Sequence, residues 1–375
     1  RDCMFSLMIN VGSISLACSS LWSLNPGDKI TLSKAMLLNL LGFVYFISLT
    51  EFFNKLLLKT KIGLNFIKKY RLKLPDALDI TNKLVSAVQA CLSCIAGLIV
   101  CRWSCTVSFL HANHFMSESY AWFAAPYFLY DIWSMYKVYA AVTAAKIRET
   151  LQFGSNYIAN KTNGKHNNNI NHNNTNLNSS NNNTNKKQDE NETEFIPSLI
   201  NGNLSILKQT KKGIPSFAKY IITHPLIVFH HLFIGAYGLI VVAYLKGNLG
   251  DCIFSFFYLM EMSTPFVSFR GILSIMGLKE SRIYILNGLT MLGVFFVCRV
   301  FMVPYICYWY SEVANLTITT AVMALPRGCK MSILMLFLPQ LYWFHLMLKG
   351  AIKVFAKDSK STKINKNNKI HSKNS

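Results

Sequence analysis

The sequence predicts an all-α integral membrane protein, a multi-pass helical bundle with about seven spans in its main domain. Three observations carry that prediction. Of 375 residues, 52% are hydrophobic and only 15% charged, which is a membrane composition. Apolar runs of about 20 residues recur, the length that crosses a hydrocarbon core ~30 Å thick at ~1.5 Å per residue. The net charge of +21 collects in a few polar segments between those runs. Clustering of that kind marks membrane topology and argues against a nucleic-acid-binding face.

Eight stretches qualify as spans: 4–23, 36–57, 84–102, 119–144, 225–245, 252–276, 284–310 and 331–349. The first fits either a signal sequence or an additional span. Lys59, Lys61, Lys68, Lys69, Arg71 and Lys73 follow the second, and seven lysines run from Lys353 to Lys373 in the tail. Placing the tail in the cytosol and alternating backwards puts the basic stretch and the long 146–224 connection on the cytosolic side as well, so the positive-inside rule and the span count agree. The organisation is then an N-terminal extension (1–35), a first core span with its basic loop (36–79), a main domain (80–350) and a basic cytosolic tail (351–375).

The main domain is interrupted at 154–212 by an insert whose 160–193 section is dominated by Asn. Such a tract buries too little apolar surface to offset its ordering entropy, so the insert is expected to be disordered. Asn315-Leu-Thr317, in an expected luminal loop, is a better glycosylation candidate than the chance sequons of a cytosolic insert. Cys91, Cys94, Cys101, Cys252, Cys298 and Cys307 lie inside apolar segments and read as buried thiols. The sequence shows neither a metal-ligand constellation nor a nucleotide-binding motif.

Polar residues inside spans are where function is to be sought. Helical spacing groups Ser86, Gln89 and Ser93; then Tyr127, Tyr130, Asp131 and Ser134; then Tyr258, Glu261, Thr264 and Ser268. One stripe per helix points to a shared cavity, or to interhelical hydrogen bonding. Counting residues from the expected span ends places Asp131, Glu261 and Arg299 near the membrane midplane, with Arg299 able to pair with one of the carboxylates. The adjacent His230 and His231 enter only about 8–9 Å from the cytosolic face by the same count. A neutral imidazole at that depth is suited to general-base or nucleophilic chemistry on a lipid, and its alternative role is interhelical contact.

Several segments together resemble the TLC-domain family, which includes the ceramide synthases and the translocating-chain-associated membrane proteins. They are Lys83-Leu-Val-Ser-Ala-Val-Gln-Ala90, Pro126-Tyr-Phe-Leu-Tyr-Asp-Ile-Trp-Ser-Met-Tyr136, His230-His231, Gly250-Asp-Cys252, Met260-Glu-Met-Ser-Thr-Pro-Phe-Val-Ser268, Asn287-Gly288, Cys298-Arg-Val300 and Pro339-Gln-Leu-Tyr-Trp343. Their order and spacing are most similar to the TLC domain-containing protein 3 subgroup. The resemblance implies a lipid-accessible cavity, residence in the endoplasmic reticulum or Golgi, and a role in ceramide and sphingolipid metabolism.

Its enzymatic form would be N-acylation of a sphingoid base, with acyl-CoA as co-substrate, no bound cofactor, and His230 and His231 as the catalytic pair. Tyr127, Tyr130, Asp131, Tyr258, Glu261, Thr264, Ser268 and Arg299 would line the cavity. Membrane lipids are the implied partners, nucleic acid is not one, and homo- or hetero-oligomers stay open. The chain departs from the synthases at Phe254 and Phe257, seven and four residues before Glu261, where they carry Asp. Without carboxylates to orient and charge-balance the imidazoles, acyl transfer is put in doubt, and a non-enzymatic lipid sensor, carrier or regulator becomes the alternative.

Overall fold

The computed structural model describes the backbone of residues 2–170, 213–247 and 249–371, and side chains for 3–152, 213–247 and 249–353. Every regular element among these residues is helical. In chain order they are α1 (Asp2–Leu21), α2 (Leu32–Lys59), α3 (Lys61–Tyr70), α4 (Leu74–Val107), α5 (Phe115–Ile170), α6 (Phe217–Thr223), α7 (Pro225–Leu245), α8 (Cys252–Ile275), α9 (Arg282–Val313), α10 (Ile318–Ala324) and α11 (Arg327–His371). The chain forms two compact units, Arg1–Ser134 with Leu226–Ser375, and Met135–Pro225.

Among the described residues seven helices are long and apolar enough to cross a membrane: α1, α2, α4, α7, α8, α9 and α11. The expected fourth span, 119–144, lies within α5 but is not among the seven. Its length of 56 residues is ample, whereas Tyr127, Tyr130, Asp131, Tyr136 and Lys137 dilute its hydropathy. α5 also continues to Ile170, into the tract expected to be disordered. Helix propagation onto an existing helix needs no new nucleus. The remainder of that insert, 171–212, lies outside the described residues.

Local chemistry sets the element boundaries. Thr31, Thr60, Ser281 and Thr317 cap α2, α3, α9 and α10, each accepting a backbone N–H from the first turn. α4 opens with Pro75 in its first turn, while Asp76 accepts the Lys73 N–H at 2.8 Å. Asn315, in the expected glycosylation sequon, is exposed in the turn between α9 and α10 with φ 53°.

In the first unit, the core where α2 meets its neighbours holds Leu38, Tyr45, Phe46 and Leu49 of α2 against Val85 of α4 and Phe123 and Tyr127 of α5. α1 docks on α2 through Asn10, whose Nδ2 donates to the Tyr45 carbonyl at 3.0 Å. Pro126 sits inside α5 and has no N–H for the carbonyl four residues earlier. That carbonyl, of Trp122, accepts Asn39 Nδ2 of α2 at 3.1 Å. In a hydrocarbon environment the repair is obligatory, because water is absent. α4 and α8 approach closely at Gly97, where a Cβ would lie 2.9 Å from the Ser255 carbonyl oxygen and 3.0 Å from Tyr258 Cβ.

One cysteine expectation is corrected. Cys252 is not a free thiol but is bonded to Cys105, joining the end of α4 to the start of α8. Both ends belong to one packed junction, where the Gly250 and Asp251 N–H groups donate to the Leu110 and Ala112 carbonyls. Cys91, Cys94, Cys101, Cys298 and Cys307 remain thiols, with Cys298 buried and Cys91 exposed.

Candidate functional site

Within the first unit, α4, α5, α7, α8, α9 and α11 enclose a mostly apolar cavity of about 600 Å³. Its walls include Phe128, Phe254, Phe257, Val242, Val303 and Ile306, and its polar groups include Gln89, Tyr120, His230, Glu261, Arg299 and Gln340. The helices around it are irregular. α7 carries π turns at Phe233–Tyr237 and Val241–Leu245, α9 one at Phe296–Phe301, and α8 a 3₁₀ turn at Met260–Ser263. Irregular backbone at depth is tolerated where it is buried in protein or lines a cavity.

The α8 turn explains how Arg299 is held. Thr264 N–H donates to the Glu261 carbonyl instead of reaching back to Met260. The released Met260 carbonyl accepts Arg299 Nε at 2.9 Å, and the same Nε donates to Ser263 Oγ at 2.8 Å. Nη2 donates to Thr264 Oγ1 at 2.9 Å and lies 3.3 Å from Glu261 Oε2. Nη1 reaches Gln340 Oε1 of α11 at 3.3 Å. Thr264 passes the contact on, donating to Glu261 Oε2 at 2.6 Å. One guanidinium thus joins α8, α9 and α11, and the ion pair expected of Arg299 forms with Glu261 rather than Asp131.

The neighbouring histidines have different surroundings. His231 Nδ1 lies 2.8 Å from the Ile227 carbonyl and Nε2 2.9 Å from Asp131 Oδ2. The carbonyl can only accept, so Nδ1 is the donor, and the bond to Asp131 requires a further proton on the ring or on the carboxyl. Gly235, one turn on, has Phe128 Cβ 2.5 Å from the position of an added Cβ, so α7 can approach α5 closely enough for the pair to form. His230 points into the cavity, its ring edge-on to Trp343 at 4.9 Å and 5.8 Å from His231. Among the described residues no hydrogen bond reaches the His230 ring, and His231, Arg299 and Glu261 all lie within electrostatic range of it.

The contact between His231 and Asp131 corrects the expected depths. Residue counting put Asp131 at the midplane and the histidines near a surface, yet they occupy one level. α5 starts at Phe115 rather than 119, so Asp131 lies a full turn further from its end.

Of the expected site residues, His230, Tyr258, Glu261 and Arg299 line the cavity. Tyr258 is fixed by donation to the Ser117 carbonyl at 2.7 Å. Asp131 and His231 pair behind the wall. Tyr127 donates to Ser86 Oγ at 2.9 Å within the α2 core. Thr264 stands behind Glu261, Ser268 is buried one turn further along α8, and Tyr130 is half-buried on α5. Of these six groups outside the cavity wall, only Thr264 is hydrogen-bonded into the Arg299 network. Sequence reasoning missed Tyr120, hydrogen-bonded to Gln89 at 3.1 Å, and Gln340. The signal for Gln340 was a polar residue after Pro339 inside an apolar span. Among the described residues no three His, Cys, Asp or Glu side chains gather as a metal-ligand set.

At the other end of the cavity stands Lys246. Its Nζ lies 2.6 Å from Oδ1 of the fully buried Asp251, whose Oδ2 accepts the His114 N–H at 2.8 Å. Burial holds the His114 ring below its ordinary value of 6.5, against the pull of Asp251.

No solved structure matches the chain. The family model of the TLC domain (TRAM, LAG1, CLN8) matches residues 79–349, which take in α5, α7, α8 and α9, most of α4, the first half of α11 and every residue that lines the cavity. The protein therefore belongs to the TLC-domain family of multi-pass helical membrane proteins.

Proposed function

We propose that the protein acts in sphingolipid metabolism, taking a long-chain amine lipid into the cavity with its head group at His230 and acylating it with acyl-CoA. The observation that carries the reading is the pairing of an apolar cavity with one uncommitted imidazole at its polar end. The amine nitrogen attacks the thioester carbonyl, its proton passes to His230, and the carbon–sulfur bond breaks to release coenzyme A as thiolate, which is then protonated. His231, committed to Asp131 and Ile227, positions the turn from which His230 projects. Asp131 thereby supplies from α5 a carboxylate of the kind that Phe254 and Phe257 do not.

A second reading is a non-enzymatic lipid sensor or carrier. It is favoured by those same two phenylalanines, which make the cavity wall apolar where acyl transfer would profit from charge. Within the family, motif order supports the TLC domain-containing protein 3 subgroup, and family membership supports the endoplasmic reticulum or Golgi. The basic segments support a cytosolic C-terminus, and the Cys105–Cys252 disulfide supports placing its end of the bundle in an oxidising lumen.

The test is turnover of a long-chain sphingoid base with a panel of acyl-CoAs by the purified protein in nanodiscs, beside His230→Ala. The enzyme reading expects turnover that falls at least about 100-fold in the variant, the usual scale of a general base. Absence of turnover from folded wild-type protein across the panel, with ceramide or sphingoid base still retained, establishes the sensor reading instead.

A further inference from the structure

α3 stands between two membrane-crossing helices: α2 ends at Lys59 and α4 begins at Leu74, so α3 sits at a membrane surface. Gly63, Phe66, Ile67 and Tyr70 follow the i, i+3, i+4, i+7 pattern of one helix face. That face turns onto the bundle, with Gly63 buried and the three aromatic and aliphatic residues packed against Leu57, Leu72 and Ile80. The opposite face presents Lys61, Lys68 and Lys69, all exposed, flanked by Ile62 at 79% exposure.

With Lys59, Arg71 and Lys73, the segment 59–73 carries six cations and no carboxylate. The acids that follow are engaged: Asp76 accepts the Lys73 backbone N–H, and Asp79 pairs with Lys83 at 2.9 Å. Arg71 adds a second observation. It ends α3 in the left-handed conformation, φ 52° and ψ 40°, while Leu72 N–H donates to the Ile67 carbonyl at 3.0 Å and Leu72 enters the core. Glycine is at ease at such a position, yet this one presents an exposed cation.

We propose that the outward face of α3 binds the head groups of anionic phospholipids in the protein's own bilayer, with Ile62 entering the boundary with the acyl chains. A convex row of flexible cations beside an exposed aliphatic side chain matches a charged lipid layer. It offers no concave, donor-lined pocket for a small free anion.

Thermal unfolding of the full chain tests this in neutral micelles, with phosphatidylserine, phosphatidylcholine or glycerophosphoserine added. The expected result is a rise in melting temperature with phosphatidylserine alone, weakened by salt. The variant Lys61→Gln/Lys68→Gln/Lys69→Gln/Arg71→Gly should melt with wild type in neutral lipid and bind phosphatidylserine at least about tenfold more weakly, since several surface cations are removed. An equal phosphatidylserine response in that variant overturns the proposal, as does an equal response of wild type to glycerophosphoserine, which identifies a soluble-anion site. If the fourfold variant fails to fold, Arg71→Gly with Lys68→Gln replaces it. That pair keeps the backbone at ease and should lose part of the response; retention of all of it is a refutation.

Discussion

The two ends of the cavity are held by different means. Near Lys246, a disulfide, backbone hydrogen bonds between 250–251 and 110–112, and the Lys246–Asp251 pair fix the junction. Around Arg299, no covalent link exists among the described residues; side-chain hydrogen bonds bridge a 3₁₀ turn and a π turn. The first end is rigid through the chain itself. The second depends on one guanidinium, which makes it the end where a single substitution should propagate furthest.

Arg299→Leu should therefore have the largest effect. It leaves Glu261 buried beside the cavity without its cation and orphans the Met260 carbonyl, at a cost of about 3–5 kcal/mol. The check is yield and melting temperature in detergent. Arg299→Lys sharpens the comparison, because one ammonium cannot reproduce a planar fork that reaches α8 and α11 together. It should recover part of the charge balance and little of the geometry, and a variant that melts with wild type would show that charge alone holds this end.

The opposite end should respond to reductant. Cys105→Ser with Cys252→Ser is expected to cost about 2–4 kcal/mol, with tethering of the helices in the bilayer keeping it below the Arg299 effect. Wild-type protein in dithiothreitol should melt with the double variant, and the variant should be indifferent to dithiothreitol. If reduction leaves wild type unchanged, the backbone bonds at 110–112 suffice without the bridge.

Asp131→Leu comes next, at about 1–3 kcal/mol, for leaving His231 Nε2 without its partner. It distinguishes the two histidines: in the acyl-transfer reading it lowers turnover by displacing the turn that carries His230, whereas His230→Ala removes turnover while costing little stability. Equal stability losses in the two variants would contradict the division of roles seen in the ring contacts.

These contrasts mark how much was legible in the sequence. Fold class was legible because apolar length and charge clustering are properties of single segments. His230, Glu261 and Arg299 were legible because an ionisable group in an apolar run is conspicuous. Their partners were not. That Asp131 belongs to His231 and Glu261 to Arg299 depends on the register between helices, and an error of one turn at the start of α5 misplaced Asp131 in depth. Pro265, which has no N–H for the Glu261 carbonyl, marks a defect near the 3₁₀ turn in the sequence, but that Arg299 takes up the freed Met260 carbonyl is visible only in space. The repair of the Pro126 gap by Asn39 is the same case: the defect is visible in sequence, the donor only in space.

The smallest expected effect is a pH dependence at the disulfide end. The His114 ring is buried, accepts the Met116 N–H at 3.1 Å through Nδ1, and stacks on Phe115 at 4.8 Å. Asp251, which accepts the His114 N–H and is itself paired with Lys246, is the charge that acts on the ring. Burial lowers its proton affinity in the folded state below the ordinary 6.5, so well above that value the ring is neutral in both states and contributes no slope. As pH falls below 6.5, the unfolded chain takes up the proton first, and stability declines until the folded ring also titrates. The decline should be under about 1.4 kcal/mol for each unit by which the affinity is lowered. His114→Gln removes the titrating group. Melting temperatures of wild type and variant should diverge between pH 7 and pH 5, with wild type losing more; parallel curves would show that the His114 ring does not set the acid sensitivity of this end.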